Sequence, residues 1–210
     1  MTEQRKARVS TSDLIVAYPG ALSPDMCREM INRFESSTQQ YDSVTAAGAK
    51  PGRRGAMVNM SSLPAWADIK KTVTEKTVAC LHDYADRFQG IKFILELENV
   101  FLSSPVIERY RETEGFNWHI DSGPQETATR FLSSLTYLND VAEGGRTEFP
   151  MQGLEITPRA GTMVLFPPYW MFPHRAAPAH DVKYKMTAYF TIANGAARTP
   201  PPDAPDGNTP

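Results

Sequence analysis

From Val106 onward the chain is a succession of short strand-like runs separated by turn-forming residues, and that rhythm limits the folds open to it. Val106 to Tyr110, Phe116 to Ile120, Phe131 to Leu138, Leu154 to Thr157, Thr162 to Phe166 and Val182 to Ile192 are the runs. Ser122-Gly123-Pro124, Asn139-Asp140, Gly144-Gly145, Pro158 to Gly161 and Pro167-Pro168 punctuate them. Many short strands at this spacing predict a sandwich, jelly roll or barrel. Lys92 to Leu102 (KFILELENVFL) also alternates around an apolar core and reads with the strands.

The first half reads as helical. Ser23-Pro24-Asp25 supplies a cap residue followed by Pro at the first helical position. Met26, Met30, Ile31 and Phe34 then recur at helical spacing. A second helix is predicted after Ser61-Ser62 and Pro64, with Trp66, Ile69, Val73, Val78, Leu81 and Tyr84 as its apolar stripe and Gly90 at its end. Between the two, residues 45–57 (TAAGAKPGRRGAM) form a Gly- and basic-rich loop, expected to be mobile and a candidate lid. The fold class is therefore α+β, helices first and a β-sandwich after. Residues 1–12 read as a flexible tail, 13–193 as one folded domain, and 194–210, with five prolines, as a Pro-rich flexible tail.

Lys and Arg number 22 against 24 Asp and Glu, so no net field favours a nucleic-acid partner. No apolar run reaches membrane-spanning length, and no secretory signal pattern opens the chain. Cys27 and Cys80 form neither a disulfide framework nor a zinc cluster, which suits a reducing cytoplasmic setting.

The chemistry points to histidine, of which there are four. His119 and Asp121 are two apart at the end of a strand-like run, so both side chains can face one point. His174 can supply a third ligand if the sandwich closes. Two imidazoles and one carboxylate make the facial triad of non-haem Fe(II), which leaves coordination positions open. His82 and His180 read as bystanders. Gly144 and Gly145 read as hairpin geometry, since no phosphate-binding fingerprint is present.

The ordered set of motifs resembles the 2-oxoglutarate- and Fe(II)-dependent dioxygenases of the prolyl 4-hydroxylase-like family. Tyr110 stands nine residues before His119. Tyr137-Leu138-Asn139-Asp140 and Gly144-Gly145-Arg146-Thr147-Glu148-Phe149 match two further family segments, and Gly161, Phe166, His174 and Lys183 follow in order. The resemblance implies a double-stranded β-helix (jelly-roll) core with N-terminal supporting helices. It implies Fe(II) held by His119, Asp121 and His174, with 2-oxoglutarate and O2 as co-substrates and ascorbate as reductant. It implies hydroxylation of a C–H bond, with a prolyl residue in a peptide or protein as substrate and succinate and CO2 as products. The alternatives are a small molecule or another side chain, a cupin-like dioxygenase without 2-oxoglutarate, or a non-catalytic binding module.

The far carboxylate of 2-oxoglutarate needs a buried cation. Lys183 is the choice and Lys185 the rival; both share parity on one strand, and Tyr189, six after Lys183, stands where the family has an aromatic residue. Tyr110 is implied to donate to the same carboxylate. Arg130 either binds substrate or pairs with a carboxylate. Asn117, Trp118, Trp170, Phe172 and Arg175 flank the motifs and are candidates for the entrance, with packing as the other reading of Trp118 and Phe172. Three positions depart from the family: Thr113 where Gly is frequent, Phe116 where Tyr is common, and Tyr189 in place of Trp.

Overall fold

The computed structural model describes residues 11–43, 53–61, 63–96, 99–123 and 125–193. The two expected tails therefore lie outside the described residues, apart from Thr11 and Ser12.

Strand β1 (Val16–Tyr18) leads into helix α1 (Pro24–Ser36). Ser23 caps α1 by accepting from the Met26 amide, and Pro24 occupies the first turn. Three short strands follow: β2 (Tyr41–Asp42), β3 (Arg53–Arg54) and β4 (Ala56–Asn59). A 3-10 turn at Pro64–Trp66 opens helix α2 (Ala67–Arg87). Its buried stripe is Ile69, Val73, Thr77, Leu81, Tyr84 and Ala85, so Thr77 takes the core position expected of Val78. The Thr77 hydroxyl escapes a desolvation cost by donating to the Val73 carbonyl at 2.8 Å.

Residues 92–102 differ from the expected strand. Phe88 is extended and breaks the helix, and α3 (Gln89–Leu95) then places Ile91, Ile94 and Leu95 against the core. Those three share helical spacing, which outweighs the alternation of the same run. Gly90 sits inside α3 and terminates nothing. Only β5 (Val100–Leu102) is strand.

The remainder is β: β6 (Val106–Tyr110), β7 (Gly115–His119), β8 (Arg130–Tyr137), β9 (Thr147–Phe149), β10 (Leu154–Ile156), β11 (Met163–Phe166), β12 (His174–Ala176) and β13 (Lys183–Ile192). They form two antiparallel sheets. The larger runs β1-β11-β8-β13-β6-β4-β2 with β5 also on β13; the smaller runs β10-β9-β12-β7-β3. β1 to β4 are drawn from the half read as helical, so the segregation of helices from strands is incomplete.

Three layers result. Met163 and Leu165 of β11 face the helices with Leu81, Tyr84 and Phe190, while Val164 and Phe166 face the smaller sheet with Tyr137 and Phe149. Alternation along β11 thus fills both interfaces of the larger sheet. Cys27, Met30 and Phe34 of α1 pack with Ile69, Val73 and Met186. Each such buried side chain stabilises the fold by about 1.5–3 kcal/mol. No helix of the described residues is long and apolar enough to cross a membrane.

Candidate active site

The site is built where the smaller sheet meets the larger one. β7 and β12 are antiparallel neighbours, and their register sets His174 directly opposite His119. The next pair is Ala176 with Phe116, so β7 carries one extra residue as a bulge. The bulge brings Phe116 onto the face of His119, where the rings stack at 3.5 Å. His174 is the first residue of β12. The two imidazoles are 4.2 Å apart between ring centres, and Phe149 and Phe166 box His174.

Asp121 lies two residues beyond β7, held by its own amide and that of Ser122 donating to the Pro168 carbonyl. Ser133 on β8 donates to Asp121 Oδ2 at 2.8 Å, and Tyr189 on β13 donates to Oδ1 at 3.4 Å. A carboxylate carried by the smaller sheet is thus braced by two strands of the larger one. Its two oxygens lie 3.6 Å from His119 Nε2 and 3.6 Å from His174 Nε2. All three residues offer ligand atoms within 4.8 Å of one another.

The donor chemistry fits a metal cation. Nδ1 of His119 faces the Asn117 carbonyl at 2.7 Å, and Nδ1 of His174 faces the Phe172 carbonyl at 3.1 Å. A carbonyl only accepts, so each Nδ1 carries the hydrogen and each Nε2 turns a lone pair toward Asp121. Burial, with His174 beside it, pushes His119 down to about 3, so its imidazole is neutral at physiological pH. Lone pairs and a carboxylate converging on one point are stabilised by a cation between them.

The cavity in front of this group is also lined by Arg53, Lys185, Thr187 and Tyr189. The two lysines of β13 separate here. Lys185 faces Glu108 across the β13–β6 pairing and meets its carboxylate at 3.2 Å. Arg53 joins Glu108 from the other side at 2.5 Å, and Thr187 donates to it at 2.7 Å. Burial alone would raise the Glu108 carboxyl; Arg53 and then Lys185 outweigh it and hold the group ionised. Lys183 is 1% exposed, and its ammonium donates to the Gly145 carbonyl beside the Tyr137 ring. No carboxylate pairs with it among the described residues. Burial and the neighbouring Lys185 push it down to about 7.

Two glycines make this arrangement possible. A side chain at Gly55 would lie 2.6 Å from the Arg109 carbonyl oxygen and 2.7 Å from the Tyr110 ring, so only glycine fits where the chain passes from β3, paired with β7, to β4, paired with β6, with Arg53 reaching Glu108. Gly145 has φ +63, the left-handed region, which turns its carbonyl toward Lys183. The Gly144-Gly145 turn is not a simple hairpin, since Gly144 bridges to Ala179.

The other expected residues divide. Tyr110 is buried opposite Lys183, but its hydroxyl already donates to Glu108 rather than standing ready for a ligand. Arg130 lies over the Tyr189 ring at 3.7 Å and donates to the Asp121 carbonyl oxygen, so it pairs with no carboxylate in this arrangement. Trp118 is 48% exposed and Trp170 70% exposed, and Asn117 is exposed as well. Arg175 stacks over Trp118 and binds Glu148 at 2.6 Å. Phe172 is fully buried, so it packs the core and does not form the entrance. His82 and His180 are exposed. The loop read as 45–57 lies outside the described residues as far as 52, while Arg53 onward is strand.

Sequence reasoning missed Arg53 and Glu108. The signal for Glu108 was present: a carboxylate of the same parity as Tyr110 on the strand that leads to the His119 motif. Arg53 carried none beyond a basic loop.

Comparison with known proteins agrees with this geometry. The profile of the 2OG-Fe(II) oxygenase superfamily matches residues 105–191, which span β6 to β13 and all three triad residues. A viral collagen prolyl hydroxylase from Paramecium Bursaria Chlorella virus-1, solved with 2OG, aligns at a TM-score of 0.66 and 16% identity, covering 86% of this chain and 97% of that one. A Pseudomonas putida prolyl-4-hydroxylase gives 0.62 and 17%, covering 86% and 93%. A Trichoplax adhaerens prolyl hydroxylase, solved with a hypoxia inducible factor peptide fragment, gives 0.70 and 16%, covering 86% and 84%. No curated protein sequence matches the chain. Residues 105–191 are thus similar to the 2OG-Fe(II) oxygenase superfamily, and the fold is the one these prolyl hydroxylase structures share.

Proposed function

We propose that the chain hydroxylates a C–H bond, with a prolyl residue of a peptide as substrate, and releases succinate and CO2. The observation that carries this reading is the meeting of His119 Nε2, His174 Nε2 and the Asp121 carboxylate at one end of a lined cavity. These three residues would hold Fe(II), and ascorbate would keep it reduced in a reducing compartment. When bound, Fe(II) supplies the redox chemistry that couples decarboxylation of 2-oxoglutarate to hydroxylation.

The protein's own residues bind and orient. The carbonyls of Asn117 and Phe172 fix both imidazole tautomers, and Ser133 with Tyr189 fixes the carboxylate. Lys183 receives the distal carboxylate of 2-oxoglutarate. It is a fully buried cation whose partner is a neutral carbonyl, whereas Lys185 already has Glu108. Phe116, Phe149 and Phe166 keep water from the imidazoles. Trp118 and Trp170 are exposed aromatic rings near the triad in sequence, and Trp170, with no Arg stacked on it among the described residues, is the better match for a pyrrolidine ring. The prolyl assignment draws on the names of the proteins that share the fold.

The test is succinate release from 2-oxoglutarate with Fe(II), ascorbate and a panel of proline-containing peptides and free amino acids. Succinate should appear in step with a hydroxylated product. Absence of 2-oxoglutarate consumption across the panel would overturn the reading.

A further inference from the structure

The charges around the cavity do not cancel. Arg53 and Lys185 line it, Lys183 lies behind its wall, and Arg130 covers the Tyr189 ring. Against these four cations stand Glu108 and Asp121. Arg175 and Glu148 pair with each other and drop out. A dication at the triad and the two carboxylates of 2-oxoglutarate offset one another, so the positive excess of the walls remains. Buried charge without a counter-ion is costly, and this excess is built into the fold.

The excess has a definite address. Arg53 pairs with Phe116 across β3 and β7, and its guanidinium lies 5.1 Å from the Phe116 ring, which itself stacks on His119. One Nη binds Glu108, but the buried Nε has no hydrogen-bond partner among the described residues. An arginine that lines a cavity, anchored at one corner and with one buried donor unpaired, is preorganised for a carboxylate.

We propose that Arg53, backed by Glu108 and Lys185, is a subsite for a carboxylate, and that the primary substrate brings it. The substrate class is then an amino acid with a free carboxylate, or the last residue of a chain, held so that a carbon a few bonds from the carboxylate faces the triad. Mid-chain residues, which lack that charge, fit less well. This deepens the oxygenase reading and rests on it.

The test is anaerobic calorimetry on the full chain with Fe(II), titrated first with 2-oxoglutarate and then with matched pairs: N-acetyl-L-proline, N-acetyl-L-leucine and N-acetyl-L-phenylalanine against their carboxamides. At least one acid should bind about tenfold or more tighter than its amide. Arg53→Met should erase that difference while shifting 2-oxoglutarate affinity less than about twofold, and Arg53→Lys, which keeps the charge without the fork, should retain part of it. Equal binding of acid and amide in every pair, or no binding of either, overturns the proposal and leaves the oxygenase reading intact. Weakening of 2-oxoglutarate rather than of the acid by Arg53→Met also overturns it, because the subsite then serves the co-substrate. Failure of the first titration in the parent chain strikes the oxygenase reading itself, and this proposal with it.

Discussion

The two ends of the cavity are built from opposite electrostatic logic. At one end, two imidazoles, each with Nδ1 tied to a backbone carbonyl, and one carboxylate turn lone pairs toward a single point. Along the wall beside it, Arg53, Glu108 and Lys185 already neutralise one another in part and carry surplus positive charge. The first arrangement is incomplete without a cation; the second is nearly complete and accepts an anion. Lys183 stands apart from both as a buried cation with only a carbonyl. The contrast shows that counting charges near a site says less than asking which of them already has a partner.

The sharpest way to break the contrast is to remove a member of the incomplete end. His119→Ala or His174→Ala should reduce succinate release to background, and full activity in either variant would dissolve the triad assignment. The next comparison sets the two lysines against each other. Lys183→Ala should raise the 2-oxoglutarate concentration needed for half-maximal turnover by roughly 30-fold or more, the scale of one buried charge partner lost. Lys185→Ala should change that requirement less than about threefold, while lowering stability to denaturant by about 1–3 kcal/mol as Glu108 loses one of its partners. The reverse pattern would move the distal anchor to Lys185.

The pH dependence follows from Lys183. With its ammonium pushed down to about 7 before any ligand arrives, binding a carboxylate above that pH requires proton uptake. The affinity for 2-oxoglutarate should be level below pH 7 and weaken by about tenfold per unit above it. Lys183→Arg should flatten the slope, since arginine does not lose its proton in this range. A slope unchanged by that substitution would assign the proton elsewhere.

The smallest expected effect lies away from the site. Thr113 has φ +67, the left-handed region, in the turn between β6 and β7. A β-branched residue there is strained. Thr113→Gly should raise stability by about 0.5–1 kcal/mol in thermal or denaturant unfolding, and a loss of stability would show that the threonine side chain makes a compensating contact.

Much of this was legible before the fold was known, for identifiable reasons. Ser23 and Pro24 announce α1 through local chemistry alone, and β6, β8, β11 and β13 follow from apolar runs bounded by turns. His119, Asp121 and His174 could be picked out because residue type and order carry the signal. What failed was whatever depends on distant partners. Residues 92–95 open a run read as alternating yet belong to a helix, because the core beside α2 takes Ile94 and Leu95. Strands of two or three residues, such as β3 and β9, exist through their neighbours and have no pattern of their own. The parity of Lys183 and Lys185 could not separate them; the cross-strand register does, by setting one opposite Glu108.

The central claim is best tested by anaerobic binding. Fe(II) is titrated into the metal-free chain by calorimetry, followed by 2-oxoglutarate, and repeated with Asp121→Ala and His174→Ala. The account predicts one tightly bound Fe(II) per parent chain, 2-oxoglutarate binding that strengthens sharply once the metal is present, and loss of both in the two variants. Iron and 2-oxoglutarate binding of equal strength in the parent chain and in both variants would contradict it.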